Sequence, residues 1–208
     1  MKNELNEKES LALISEMIEQ ARNNLQKGSG NSMVYNGCLV ACIAILNAIL
    51  AFTLENPKYS FWVWALMIPG TLINFLIIKK IDKGALIRTH IDRIIGTVWQ
   101  AFMYSTIVLL IVIFGFGYGI KNHQIFILIN PIIMIMIGLS EFITAKACRF
   151  KPYLYGAYVM WIGAIACFLI CYITSHVVIF QFLVLATCMI AGFVVPGYHL
   201  NKSAKSHV

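Results

Sequence analysis

Hydropathy along the chain alternates six long apolar stretches with short polar ones. The apolar stretches fall at 33–54, 59–78, 94–120, 125–145, 153–173 and 177–197. Each is long enough to cross about 30 Å of hydrocarbon at about 1.5 Å per residue. Lipid offers no partner for backbone N–H and C=O groups, so each stretch is predicted to be a helix. A barrel needs strictly alternating segments, and runs such as Ile107–Phe114 and Ile132–Ile137 do not alternate. The fold class that follows is all-α: a polytopic membrane bundle of six transmembrane helices. The third stretch ends in Gly115-Phe116-Gly117-Tyr118-Gly119, and its outer end is expected to unwind or tilt.

Ahead of the first stretch the period changes. Leu11, Ile14, Ile18, Ala21 and Leu25 recur at alternating spacings of three and four, with Leu13 and Met17 widening the stripe. Glu16, Glu19, Arg22 and Asn23 occupy the opposite side. This is an amphipathic helix pattern, opened by Asn3 and expected to end at Lys27 and Gly28-Ser29-Gly30. The chain thus divides into a helix with a Gly/Ser linker over 1–32, a membrane domain over 33–197 and a tail over 198–208. The stripe suits two uses: packing on the protein's own inner loops or the bilayer surface, or docking on a protein partner or a second copy. A second polar piece, 79–93, is basic and has the makings of a short amphipathic helix at the headgroups.

Composition supports the membrane assignment. Hydrophobic residues make up 60% of the 208 and charged residues 12%, with mean hydropathy +0.78. So few charges cannot cover a soluble globule. Of the 16 Lys and Arg, only Lys58 and Lys121 fall on one side of the predicted spans; the rest fall on the other. The positive-inside rule then puts both termini in the cytoplasm of a cell inner membrane. Tyr59, Phe61, Trp62 and Trp64 open the second span as outer anchors, and Trp99, Tyr153, Tyr155 and Tyr198 lie toward the inner interface. The net charge of +7 is a topology signal with some attraction to anionic lipid. Nucleic acid is not an expected partner, because the basic residues are scattered among short loops. No signal peptide precedes Met33, so the first span is expected to direct insertion.

Within the spans, Glu141 is the only acidic residue. Such a group carries a functional hypothesis by default, although Lys146, Arg149 or the 79–93 segment offers it a structural counter-charge. By depth, Asn74 and Gln100 lie in the same inner leaflet, so the three are candidates for one inward-facing polar pocket. Asn47, Asn130 and Gln181 lie farther out and are expected to hydrogen-bond between helices. Cys38/Cys42 and Cys167/Cys171 have i, i+4 spacing that suits a soft metal. The better reading joins Gly163, Cys167 and Cys171, and likewise Ala41, Ala44, Ala48 and Ala51, as small-residue packing stripes. No metal, cofactor or disulfide framework is expected. Pro69, in mid-span, is expected to kink or break the second span, whereas Pro131 and Pro196 lie near helix ends where their effect is small. No nucleophile with a nearby base, H-E-x-x-H, phosphate-cradling glycine loop or carboxylate pair is present, so the chain does not read as an enzyme.

Four segments carry a resemblance: ESLALISEMI at Glu9–Ile18, FITAKACRFKP at Phe142–Pro152, GAYVMWIGAI at Gly156–Ile165 and VVPGYHLNK at Val194–Lys202. Together they resemble a family of small, uncharacterised bacterial inner-membrane proteins with an N-terminal helix and about six spans. The resemblance implies a regulatory setting, since genes of that family often neighbour a winged-helix transcriptional regulator, and it implies no catalytic or ligand residues. The expected function is therefore non-enzymatic: a regulatory, sensing or scaffold component working through its cytoplasmic face. A small transporter or channel with a pocket around Glu141 is the alternative.

Overall fold

The computed structural model describes residues 7–82 and 90–205, and in the arm before Gly30 it describes the backbone but, Ser15 apart, no side chains. Seven α-helices account for most of these residues: α1 (Glu7–Thr53), α2 (Met67–Asp82), α3 (His90–Gly119), α4 (Ile129–Cys148), α5 (Lys151–Ile173), α6 (Val177–Met189) and α7 (Val195–Lys205). 3-10 segments over Pro57–Leu66 and His123–Leu128 lead into α2 and α4, and a π-helical turn over Ile190–Val194 joins α6 to α7. Six helices are long and apolar enough to cross a membrane: Gly30–Thr53, Tyr59–Leu76, Arg93–Gly119, Gln124–Cys148, Lys151–Ile173 and Val177–Lys202. They match the six stretches read from hydropathy.

Local structure departs from the sequence reading at four places. Gly28-Ser29-Gly30 does not end the arm, because α1 runs unbroken for 47 residues from the arm into the first span. Glycine in a helix interior costs about 1 kcal/mol relative to alanine, and here tertiary contact offsets it. A Cβ at Gly30 would come within 2.9 Å of the Gly197 carbonyl oxygen and would collide with the Asn201 side chain, so the bare backbone lets α1 and α7 touch. Pro69 does not fall in the middle of an α-helix, because the second span runs as 3-10 helix over Pro57–Leu66 before it turns α-helical. The α-helix begins at Met67, so Pro69 sits in its first turn, where a missing N–H is least costly. The outer end of α3 does not unwind, and helix persists to Gly119. A side chain at Gly117 would strike the ring of Phe126, so this glycine, too, serves packing.

The fourth departure is at Pro196. In an α-helix each N–H bonds to the carbonyl four residues back. Proline has no N–H and its ring crowds that carbonyl, which here is Gly192. The sixth span accommodates this with the π-helical turn, in which the Val195 N–H reaches back five residues to the Ile190 carbonyl. The perturbation from Pro196 is therefore larger than its place near a helix end implies, and it moves inward from the proline.

Packing is organised around α1 and the sixth span. Along α1, Ala41, Ala44, Ala48 and Ala51 are buried, as the small-residue stripe requires, and α1 lies against α6, the π turn and α7. A Cβ at Gly37 would meet Phe193 at 2.8 Å and Val194 at 2.9 Å. The antiparallel α4–α5 hairpin is the other large contact, and it turns tightly through Arg149, whose left-handed conformation (φ 53°) ends α4. Along its seam large faces small: Met134 meets Gly163, and Trp161 lies against Gly138 while donating from Nε1 to the Ile135 carbonyl at 3.2 Å. α3 packs chiefly on α4 and leaves most of its apolar surface outward. Without a hydrophobic drive between helices in lipid, such close small-residue contacts hold the bundle.

Replacing Gly37 by Leu is expected to overpack the contact between α1 and the sixth span and destabilise the protein by about 1–3 kcal/mol. Gly115→Leu, at a position with nothing within 4 Å, is expected to leave stability unchanged. Thermal unfolding of both variants in detergent checks the pair.

Candidate functional site

Glu141 lies on the inward stripe of α4 that runs through Met134, Ile137, Gly138, Glu141 and Ala145, all buried. Spacings of three and four put these side chains on one helix face. Glu141 is 0% exposed, and neither carboxyl oxygen has a hydrogen-bond partner. The expected counter-charges do not serve it. Lys146 points its ammonium over the Phe142 ring, 5.5 Å from the centroid, and both Lys146 and Arg149 are exposed. Lys146 falls in the last turn of α4 and Arg149 at its C-cap, both exposed and off the inward stripe, which is why depth along the sequence misjudged them. The side chains of 79–82 and 90–92 and all of 83–89 lie outside the described residues.

Its surroundings come from three elements. On α4 itself, the flanking hydroxyls turn back to their own helix: Ser140 Oγ donates to the Met136 carbonyl at 3.0 Å and Thr144 Oγ1 to the Ser140 carbonyl at 2.8 Å. On α5, Gly156 faces the carboxyl directly. On the sixth span, the π turn brings Gly192 against Gly156. From the point where a side chain at 156 would begin, the Gly192 carbonyl oxygen lies at 2.5 Å and the two carboxyl oxygens at 3.0 and 3.1 Å. Three oxygens thus share one small volume that exists because both neighbouring residues are glycine. Phe193, next in the π turn, packs edge-on against Trp99 of α3 at 5.8 Å and closes that side with aromatic rings.

Asn74 and Gln100 do not join Glu141. Asn74 is buried against α1, where its Nδ2 donates to Asn36 Oδ1 at 3.1 Å and to Ser32 Oγ at 3.3 Å, while Ser32 Oγ donates to Asn74 Oδ1 at 3.4 Å. One turn earlier on α2, the Gly70 carbonyl accepts from Tyr35 Oη at 3.1 Å. Gln100 is exposed on the outer face of α3, although its neighbour Trp99 turns inward. The single pocket inferred from depth is therefore three separate environments, because depth fixes position along a helix and says nothing of the face.

The remaining polar candidates divide as well. Gln181 links α6 to α5 as expected, its Nε2 donating to the Cys167 carbonyl at 3.1 Å. Asn130 is buried. Asn47 is fully buried, yet neither of its amide atoms has a partner, so it does not supply the expected interhelical bond. All six cysteines are free; Cys38, Cys42 and Cys171 are exposed, whereas Cys167 is buried with its Sγ 3.8 Å from Met134 Sδ. Among the described residues no group of three or more His, Cys, Asp or Glu is placed to hold a metal ion. Leu11, Ile14, Ile18, Ala21 and Leu25 fall on α1, but their side chains lie outside the described residues.

Sequence reasoning missed Ser32, Tyr35 and Asn36 as partners of α2, and Asn31, whose Oδ1 accepts from Asn201 Nδ2 at 2.9 Å. Their signal was present: Asn31, Ser32, Tyr35 and Asn36 make the entry to the first span unusually polar. Comparison with protein-family models, with curated proteins and with solved structures finds no match.

Asn74→Ala is expected to cost about 1 kcal/mol, the usual scale for a hydrogen bond between membrane helices. Because Asn36 bonds to the same amide, the Asn36→Ala/Asn74→Ala double variant is expected to be little worse than either single variant. Denaturant unfolding in mixed micelles measures the cycle.

Proposed function

We propose that this protein is a non-enzymatic integral membrane component of a bacterial inner membrane that acts in regulation, sensing or scaffolding through a cytoplasmic face, with both termini in the cytoplasm. The observation that carries this reading is the continuity of α1. The arm and the first span are one helix without a break at Gly28-Ser29-Gly30. The part before Gly30 extends about 35 Å at about 1.5 Å per residue. An arm built this way is a lever, since displacement of the first span within the bundle moves it as a rigid body. The bundle supplies the other half of the argument, because α1 packs on the sixth span and on α2 and so meets more of the bundle than a simple anchor would need.

Lys and Arg support the orientation. Arg22 and Lys27 of the arm, the turn from Arg149 to Lys151, and Lys202 all fall at the same ends of successive antiparallel spans. Leu11, Ile14, Ile18, Ala21 and Leu25 would then form the docking stripe for a cytoplasmic protein or for a second copy of the arm. The resemblance to the small inner-membrane family, with its neighbouring regulator genes, points to the same regulatory setting. The separate surroundings of Asn74, Gln100 and Glu141 weigh against the alternative of a transporter or channel.

A helix break without any loss of sequence tests the lever. Ser29→Pro costs a helix interior about 3 kcal/mol and is expected to leave the membrane domain folded. The species crosslinked to the arm in cells should be lost or altered, as they should be on deleting 1–27. Crosslinking patterns identical to wild type in both variants would remove the proposal.

A further inference from the structure

We propose that Glu141 and the Gly192 carbonyl form a reversible proton-binding site inside the bundle, with the bound proton bridging α4 to the sixth span. Three independent features of the fold converge there. The carboxyl is fully enclosed with both oxygens unpartnered. The carbonyl that shares the space beside Gly156 with it is the one that Pro196, lacking an N–H, leaves without its donor in α-helical register. The residue between them is Gly156, whose absent side chain leaves the two groups in one volume.

The chemistry selects the ligand. A buried carboxylate with no partner is far costlier than a neutral carboxyl. A neutral carboxyl has one O–H to donate, and the Gly192 oxygen is an acceptor within the same volume. One proton therefore neutralises the carboxyl and gives it a bond to the carbonyl. A divalent cation is a poor fit, because calcium takes six to eight oxygens and magnesium keeps a nearly ideal octahedral shell, whereas among the described residues Glu141 belongs to no group of three or more His, Cys, Asp or Glu that could hold a metal ion.

Among the described residues no other charge intervenes from the packed elements. On α4, Lys146 and Arg149 are exposed, and Lys146 lies over the Phe142 ring. On α5, the titratable group on the facing side is Tyr153, one turn from Gly156, whose ring packs on Phe150; Lys151, Tyr155 and Tyr158 are exposed. From α6, Cys188 turns its Sγ to the Val159 carbonyl at 3.7 Å. From α7, Tyr198, His199 and Lys202 are exposed. From α3, the inward groups are Trp99, Phe102 and Thr106, none of which titrates, and Arg93 and Tyr104 are exposed. From α1, Tyr35 is committed to the Gly70 carbonyl.

Loss of the proton would leave a carboxylate facing a carbonyl oxygen with no cation between them. The α4–α5 seam and the π turn then have to open to water, and because the π turn packs on Gly37 of α1, proton occupancy couples to the position of the long helix. This site stands on its own geometry and goes beyond the lever and docking role of the arm.

Infrared difference spectroscopy of the full-length protein in lipid vesicles tests it. A carbonyl band of a protonated carboxyl, shifted in D2O, is expected in the folded wild type. It should convert to the carboxylate pair of bands as pH rises and be absent from Glu141→Gln. Should that variant fail to fold, the wild-type alkaline-minus-neutral spectrum gives the same reading, since the other Asp and Glu lie outside the spans. Absence of a protonated-carboxyl band at neutral pH in the folded wild type would overturn the proposal, and so would a protonated band that never converts. Conversion brought about by Na+ or K+ at constant pH would overturn it in favour of a metal cation.

Discussion

Backbone-to-backbone contact through glycine is the constraint on which this bundle depends. Lipid tails are as apolar as leucine, so burying leucine between two membrane helices gains little over leaving it in lipid. What holds helices together is the number of close contacts, and these increase when a residue with no side chain lets two backbones meet. Gly156 against Gly192 joins α5 to the sixth span, Gly30 against Gly197 joins α1 to α7, and Gly37 brings α1 onto Phe193 and Val194. All three contacts involve the stretch from Gly192 to Gly197, which makes the end of the sixth span the hub of the fold.

That hub is also where regular helix fails. Pro196 deprives the Gly192 carbonyl of its α-helical donor, and the π turn accommodates the defect instead of breaking the span. Turns of this kind recur at functional sites because they free backbone groups and re-aim side chains. Here the Gly192 carbonyl shares the space beside Gly156 with the one acidic side chain among the spans. A defect in helix geometry, a glycine contact and a buried carboxyl at a single point are hard to account for as packing alone, since a Leu at 141 would fill the seam without an unpartnered polar group.

Polar groups elsewhere in the bundle are ordinary by comparison. Gln181 ties α6 to α5, and Asn74 ties α2 to α1 through Ser32 and Asn36. Asn47 is the exception, buried without a partner on α1. It lies ten residues along the helix from Gly37, roughly 15 Å at the α-helical rise, so it is not part of the hub.

The sequence by itself determined the number of spans, their ends to within a few residues and the all-helical class, because apolar length is a property of the chain alone and lipid permits only one backbone solution for it. It also determined that small residues line α1 and α5. What face each polar residue presents was decided only by the tertiary structure. The spacing of Met134, Ile137, Glu141 and Ala145 already carried the signal that Glu141 points inward, but nothing along the chain says that Gly156 and Gly192 stand opposite, or that Gln100 looks outward. The same holds for Gly28-Ser29-Gly30 and Pro196. Local propensity reads the first as a helix end and the second as harmless, whereas contacts between residues more than 160 positions apart keep the first helical, and a carbonyl four residues back makes the second decisive.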